Sequence, residues 1–319
     1  MGKVKSYLSL IKFSHTIFAM PFALIGFFIA VMPWWDFYFW EFGFHTQLYM
    51  VNGPIGPVEQ MSSYPANWQG LGVRFLLVIG CMVFARSAAM AFNRYLDRHF
   101  DAKNPRTAIR EIPAGILKAD SVLWFTIISS VLFIVCTWFI NRICFYLSPV
   151  ALTVVLGYSF TKRFTPLCHV VLGLGLSLAP IGAYLAVTGR FDLLPILFSI
   201  VVLFWVSGFD IIYALQDVEF DQSQQLYSIP SWLGKKKGLR VSEVLHVLSG
   251  SAVIAAGFVG HFGWLYWAGS AVFLGMLVYQ HLIVKPNDLR RVNLAFMTTN
   301  GIASVVFAVF VIIDLMVNL

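Results

Sequence analysis

Hydrophobic and polar positions alternate in long blocks along this chain. Seven stretches carry no Lys, Arg, Asp or Glu: Phe13 to Trp35, Ser121 to Asn141, Ile143 to Thr161, Phe164 to Gly189, Leu193 to Phe209, Val244 to Val284 and Val292 to Ile313. A helix needs about 20 apolar residues to cross a bilayer. Val244 to Val284 is 41 residues long, enough for two helices, with a turn expected at Gly260-His261-Phe262-Gly263. A further run, Gly70 to Phe92, is interrupted only by Arg74 and Arg86. The pattern therefore predicts an all-α, polytopic membrane protein with nine spans, forming one integral membrane domain over residues 1–319. The largest remainder is the insert 36–69, rich in aromatics, Gly and Pro, expected on the outer side as a lid or interfacial segment.

Composition agrees with this reading. The 319 residues are 59% apolar and only 12% charged, whereas a soluble globular chain is about one quarter charged. The N-terminal run is too long for a signal-peptide core and is read as a retained first helix. With the N-terminus placed inside, 19 of the 22 Lys and Arg fall on inner loops, and only Arg74, Arg142 and Arg190 fall outside. That bias predicts a bacterial-type inner membrane protein with a cytoplasmic N-terminus. The net charge of +7 is then a property of the cytoplasmic face and gives no reason to expect nucleic acid. Cys81, Cys136, Cys144 and Cys168 lie scattered along spans and lack metal-ligand spacing.

The acids are distributed unevenly. Two short segments, both at predicted inner helix ends, read Asn93-x3-Asp97-x3-Asp101 and Asp210-x2-Tyr213-x3-Asp217-x3-Asp221. A spacing of i, i+4, i+8 keeps side chains on one helix face, drifting by about 40° per step. Carboxylates so spaced repel one another, which a solvated helix end does not explain when it occurs twice. A shared divalent cation does explain it, and hard oxygen ligands select Mg²⁺ or Mn²⁺, commonly bridged to substrate phosphates. Bases follow in the same neighbourhoods: Arg106 and Arg110 after the first stripe, and Lys162 and Arg163 in Tyr158-Ser-Phe-Thr-Lys-Arg. They suit a multiply charged phosphate group. Arg86 lies seven residues before Asn93, two turns along the same face, and a guanidinium inside a span is a functional candidate. The ligand that fits a metal–diphosphate clamp at the mouth of an apolar bundle is a prenyl diphosphate.

These motifs resemble those of the UbiA superfamily of intramembrane aromatic prenyltransferases. Asn93-x3-Asp97-x3-Asp101 with Arg106-Thr107-x2-Arg110 is similar to its first motif, Asp210 to Asp221 to its second, and Tyr158 to Arg163 to a third signature between them. The resemblance implies nine helices around a central cavity, with cytoplasmic cap loops at about 93–118 and 210–238. It implies that Asp97, Asp101, Asp217 and Asp221, with Asn93, hold two Mg²⁺ ions, and that Asp210 supports the second stripe. Arg106, Lys162, Arg110 and Arg163 would bind diphosphate, Tyr158 and Tyr213 would position the reactants, and Arg86 would lie near the acceptor or the diphosphate. The implied reaction is transfer of a polyprenyl chain from its diphosphate to an aromatic acid in respiratory quinone biosynthesis. The stretch Lys12-Phe-Ser-His-Thr-Ile-Phe-Ala-Met-Pro21 and the sequence Arg110-Glu-Ile-Pro113 look more like a futalosine-route menaquinone subgroup, whose acceptor is a dihydroxynaphthoate, than like 4-hydroxybenzoate enzymes. Haem, homogentisate, chlorophyll or glycerol-phosphate acceptors are the other options within the superfamily. The alternative from a different class is a cation-coupled transporter, although transporters place such residues near the bilayer midplane.

Overall fold

The computed structural model describes residues 3–11, 18–39, 48–53, 56–61 and 68–318, with side chains described for residues 6–11, 18–31 and 70–318. Its helices are α1 (Lys3–Leu10), α2 (Met20–Phe39), α3 (Trp68–Lys103), α4 (Ala119–Ile140), α5 (Arg142–Thr161), α6 (Cys168–Thr188), α7 (Leu193–Ala214), α8 (Val218–Ser223), α9 (Ile229–Leu233), α10 (Lys235–Val259), α11 (Trp264–Ile283) and α12 (Asn300–Val317). A 3₁₀ turn, Leu215–Asp217, joins α7 to α8, and a π-helical turn, Leu294–Thr299, leads into α12. In the insert 36–69, the backbone forms one antiparallel hairpin, β1 (Leu48–Gly53) with β2 (Gly56–Met61). The rest of that insert between α2 and α3, and residues 12–17 of the stretch Lys12 to Pro21, lie outside the described residues.

Among the described residues, seven helices are long and apolar enough to cross a membrane: α3, α4, α5, α6, α7 continuing through α8, α10, and α12 with its π turn. Nine spans were expected, and among the described residues seven helices meet both the length and the apolarity of a span. α11 has the length, at 20 residues, but Trp264, Tyr266 and Trp267 at one end and Gln280 and His281 at the other dilute its apolarity. In α2 the apolar stretch with described side chains is shorter, Met20–Val31. The turn expected at Gly260–Gly263 separates α10 from α11.

Helix α3 departs most from the apolar run that predicts it. Its 36 residues span about 54 Å, against about 30 Å of hydrocarbon. The charged extension beyond Phe92 is therefore a continuous helical projection that carries Asn93, Asp97 and Asp101 on one face. The second motif differs. α7 ends at Ala214, so Asp217 sits on the 3₁₀ turn and only Asp221 is on α8; the expected single stripe is broken there. Leu215 anchors this break, fully buried in a cluster with Ile212, Leu239, Val284 and Val292.

Packing divides the bundle into two parts. Helices α2, α7, α10, α11 and α12 enclose a dense aromatic core. Trp205, Phe273 and Phe307 are fully buried there, with ring centroids 5.7 Å apart for Trp205–Phe273 and 5.1 Å for Phe273–Phe307. α6 joins this core through glycines. A Cβ on Gly26 of α2 would lie 2.1 Å from the Pro180 carbonyl oxygen, and one on Gly173 would lie 2.4 Å from that of Leu203. Both glycines allow helix backbones to approach in the manner common to membrane bundles. Helices α3, α4 and α5, with the other face of α6 and the C-terminal part of α7, surround a cavity instead.

Candidate functional site at the mouth of an apolar cavity

That cavity has a volume of about 1020 Å³. Its walls change character along its length. At one end they are apolar, including Ile140, Cys144 and Leu185 near the turns that close α4, α5 and α6. At the other end lie the motif residues. From Cys144 to Tyr158 along α5 is about 21 Å at 1.5 Å per residue. All the residues singled out from the sequence line this one cavity: Asn93, Asp97 and Asp101; Asp210, Tyr213, Asp217 and Asp221; Arg86, Arg106 and Arg110; and Tyr158, Lys162 and Arg163.

The two acid motifs meet through bases contributed by other segments. After α3 the chain turns back at Asn104, whose Oδ1 accepts from the Arg106 backbone N–H at 3.0 Å and whose Nδ2 donates to Asp217 Oδ1 at 3.3 Å. The turn aims Arg106 at Asp217. Its Nε donates to Oδ1 at 3.1 Å, its Nη2 pairs with Oδ2, and its Nη1 donates to the Tyr213 hydroxyl at 2.8 Å. Burial opposes charge on Arg106, but Asp217 and Tyr213 outweigh it and hold the guanidinium above its ordinary pKa.

At the end of α5, Lys162 Nζ lies 2.7 Å from Asp221 Oδ1, and Arg163 Nη2 donates to Asp97 Oδ1 at 2.9 Å. Burial again works against charge on Lys162, yet the Asp221 carboxylate outweighs it and raises the amine's pKa. Asp221 is fully buried and also accepts from Ser228 Oγ at 3.1 Å. Ser228 is in turn the N-cap of α9 in a reciprocal capping box with Ser231. Arg110 Nη1 donates to Asp101 Oδ1 at 2.6 Å, and Asn93 Nδ2 to Asp97 Oδ2 at 3.0 Å. Two further bonds join the loops, from Tyr227 N to the Lys162 carbonyl (2.7 Å) and from Lys103 Nζ to Gln224 Oε1 (3.2 Å). Asp210 accepts no bond from the second stripe; it pairs with His169 Nδ1 at 2.7 Å.

Each carboxylate of the four is thus neutralised by a base. Among the described residues no three His, Cys, Asp or Glu side chains stand close enough together to hold a metal ion as they are. The donor chemistry nonetheless fits a hard cation. The four groups are carboxylates in one cavity, and Asp101 Oδ2 is buried there without a hydrogen-bond partner.

Several residues at this site carry no signal in the sequence pattern. Asn104 and His169 are fixed by contacts 113 and 41 residues away. Arg94 is one step off the Asn93 stripe. It is 6% exposed, lines the cavity, and its Nε has no hydrogen-bond partner. The Nε of Arg86 is likewise buried and unpartnered. Among the described residues, neither guanidinium makes a hydrogen bond or ion pair with an acid.

Fold and site together define a multi-pass membrane protein in which a long apolar cavity opens onto converging acids and bases. The model of the UbiA prenyltransferase family matches residues 62–302, three quarters of the sequence, and the chain belongs to that family. The transporter alternative is thereby set aside: the class of activity is prenyl transfer. A 4-hydroxybenzoate octaprenyltransferase from Tolumonas auensis is 30% identical over 279 residues, covering 83% of this chain and 94% of that protein. The apo structure of a UbiA homologue from Aeropyrum pernix K1 superposes with a TM-score of 0.72 at 24% identity, covering 95% of this chain and 98% of that one. The structure of a UbiA homologue from Archaeoglobus fulgidus bound to DMAPP and Mg²⁺ gives a TM-score of 0.68 at 17% identity, covering 98% and 99%.

Proposed function

We propose that this protein transfers a polyprenyl chain from its diphosphate to the ring of an aromatic acid, 4-hydroxybenzoate or a dihydroxynaphthoate, in respiratory quinone synthesis. The observation that carries this reading is the joining of both acid motifs to phosphate-type bases at one end of a single apolar cavity. The apolar length accommodates the chain, and the charged end accommodates the diphosphate. Basic residues concentrated on the motif side support a cytoplasmic N-terminus and a cytoplasmic mouth.

Asp97, Asp101, Asp217 and Asp221, with Asn93, are the residues that would hold two Mg²⁺ ions, or Mn²⁺ in their place. When bound, the metal supplies positive charge against the diphosphate. Arg106, Arg110, Lys162 and Arg163 exchange their carboxylate partners for diphosphate oxygens and stabilise the charge that grows as it departs. The allylic C–O bond breaks with its electron pair going to diphosphate. A ring carbon ortho to the acceptor hydroxyl then forms the new C–C bond, and the ring proton leaves to the released diphosphate. The apolar walls keep water from the cation.

Arg86 and Arg94 support an acid as acceptor, because two cavity-lining guanidiniums that form no ion pair among the described residues call for an anion other than the clamped diphosphate. The test is a panel of aromatic acids, and of the same rings lacking the carboxylate, with several prenyl diphosphates and products read by mass. The acids should be prenylated and the rings lacking carboxylate should react at least about tenfold more slowly, a difference of about 1.4 kcal/mol. Arg94→Met should remove most of that discrimination while leaving the KM for prenyl diphosphate within about twofold. Equal turnover of acids and neutral rings would contradict the acid assignment.

A further inference from the structure

The aromatic residues of this chain are too numerous to rank from sequence, but the structure isolates one of them. Phe296 lies in the π-helical turn Leu294–Thr299, lines the cavity, and is 9% exposed. Its ring centroid is 4.3 Å from that of Tyr213, 5.4 Å from Phe18 and 5.5 Å from Phe209, and all three line the cavity. Tyr213 accepts from Arg106, and the Arg106 guanidinium lies 5.1 Å from its ring centre. The aromatic group therefore borders directly on the cluster that would take the diphosphate, at the boundary with the apolar cavity.

Two side chains brace the turn that places Phe296: Thr299 Oγ1 donates to the Leu294 carbonyl at 3.3 Å, and Asn300 ties the turn to neighbouring helices. Asn300 is fully buried, and its Nδ2 donates to the carbonyls of Ala295 (3.2 Å) and Phe296 (3.0 Å). Its Oδ1 accepts from Trp205 Nε1 (2.9 Å) and Gln280 Nε2 (2.8 Å). Both amide donors and both acceptor positions are used. A π turn is uncommon and is found mostly at functional sites; here it is tied to α7 and α11 through an amide that has no freedom left.

We propose that Phe296 is a catalytic residue whose ring faces the allylic carbon as diphosphate departs, and that Asn300 is the positioning residue that keeps it there. The ring acts through its quadrupole on the positive charge left when the C–O electron pair goes to diphosphate. The inference rests on the prenyl-transfer reading above.

The test replaces Phe296 in the full-length enzyme with mono-, di- and trifluorinated phenylalanine, which weakens the quadrupole while nearly preserving the shape. The single-turnover rate should fall stepwise, by about tenfold or more across the series, with both KM values within about twofold. A flat series overturns the proposal. Asn300→Asp, which removes the donors to Ala295 and Phe296, should lower kcat with KM unchanged, and combining it with Phe296→Leu should add little to Phe296→Leu alone. Losses that simply add would remove Asn300 from the role. A wild-type enzyme that releases no diphosphate from any prenyl diphosphate would overturn the functional reading, and this inference with it; an active wild type with a flat series overturns this inference alone.

Discussion

The two halves of the bundle are built from similar apolar residues and put them to opposite uses. Of the most apolar 18 residues of α3, α4 and α5, 22% are buried inside the protein, against 56% for α7. In the dense half, Phe22, Trp205, Phe273 and Phe307 interlock with no exposed surface. In the hollow half, Phe133, Met82 and Val154 line space. One half is therefore a scaffold and the other a container. The motif residues of α7 and its 3₁₀ turn project from the scaffold, and those of α3 form the container's wall. The site exists because a densely packed element and a cavity-lining one present carboxylates to the same volume.

The comparison can be broken most severely at the acids. Asp217→Asn should lower kcat/KM by at least about 1,000-fold, because it removes the negative charge that a divalent cation and Arg106 both need; assay in detergent with Mg²⁺ checks this, and unchanged melting would show that the scaffold is intact. Next come the two halves' own aromatic residues. Phe273→Ala, in the dense half, should cost about 3–5 kcal/mol of stability, whereas Phe133→Ala enlarges an existing cavity and should cost about 1 kcal/mol or less. Denaturation of the two variants side by side reads the difference, and equal losses would erase the distinction between scaffold and container.

The smallest effect is a change in selectivity. Gly182 lines the cavity, and a Cβ there would meet nothing within 4 Å. Gly182→Phe should therefore exclude the longest prenyl diphosphates while turnover of geranyl diphosphate stays within about threefold. A competition assay with mixed chain lengths shows whether it does.

Much of this molecule was legible from its residues. Unbroken apolar runs marked the spans, and carboxylates four residues apart marked the site because repulsion of that kind needs a compensating charge. What was not legible has physical causes. The helical projection of α3 beyond Phe92 is polar on several faces, so hydropathy ends where the helix does not. The break at Leu215–Asp217 is set by the burial of Leu215 against Leu239 and Val292, which are distant in sequence. Arg94 sits among five other Lys and Arg residues between Arg86 and Arg110, and only its burial without an ion pair among the described residues separates it from them. Phe296 is one of 30 phenylalanines, and the turn that aims it depends on hydrogen bonds from Asn300 to its own backbone, a contact no periodic pattern encodes.

The central claim is that carboxylates from both motifs serve one diphosphate site. Isothermal titration of a non-reactive geranyl thiolodiphosphate into the purified protein, with and without Mg²⁺, tests it most directly. The expected result is binding that requires Mg²⁺ and is lost equally in Asp97→Asn and Asp217→Asn. Full Mg²⁺-dependent binding in either variant, with loss only in the other, would contradict it.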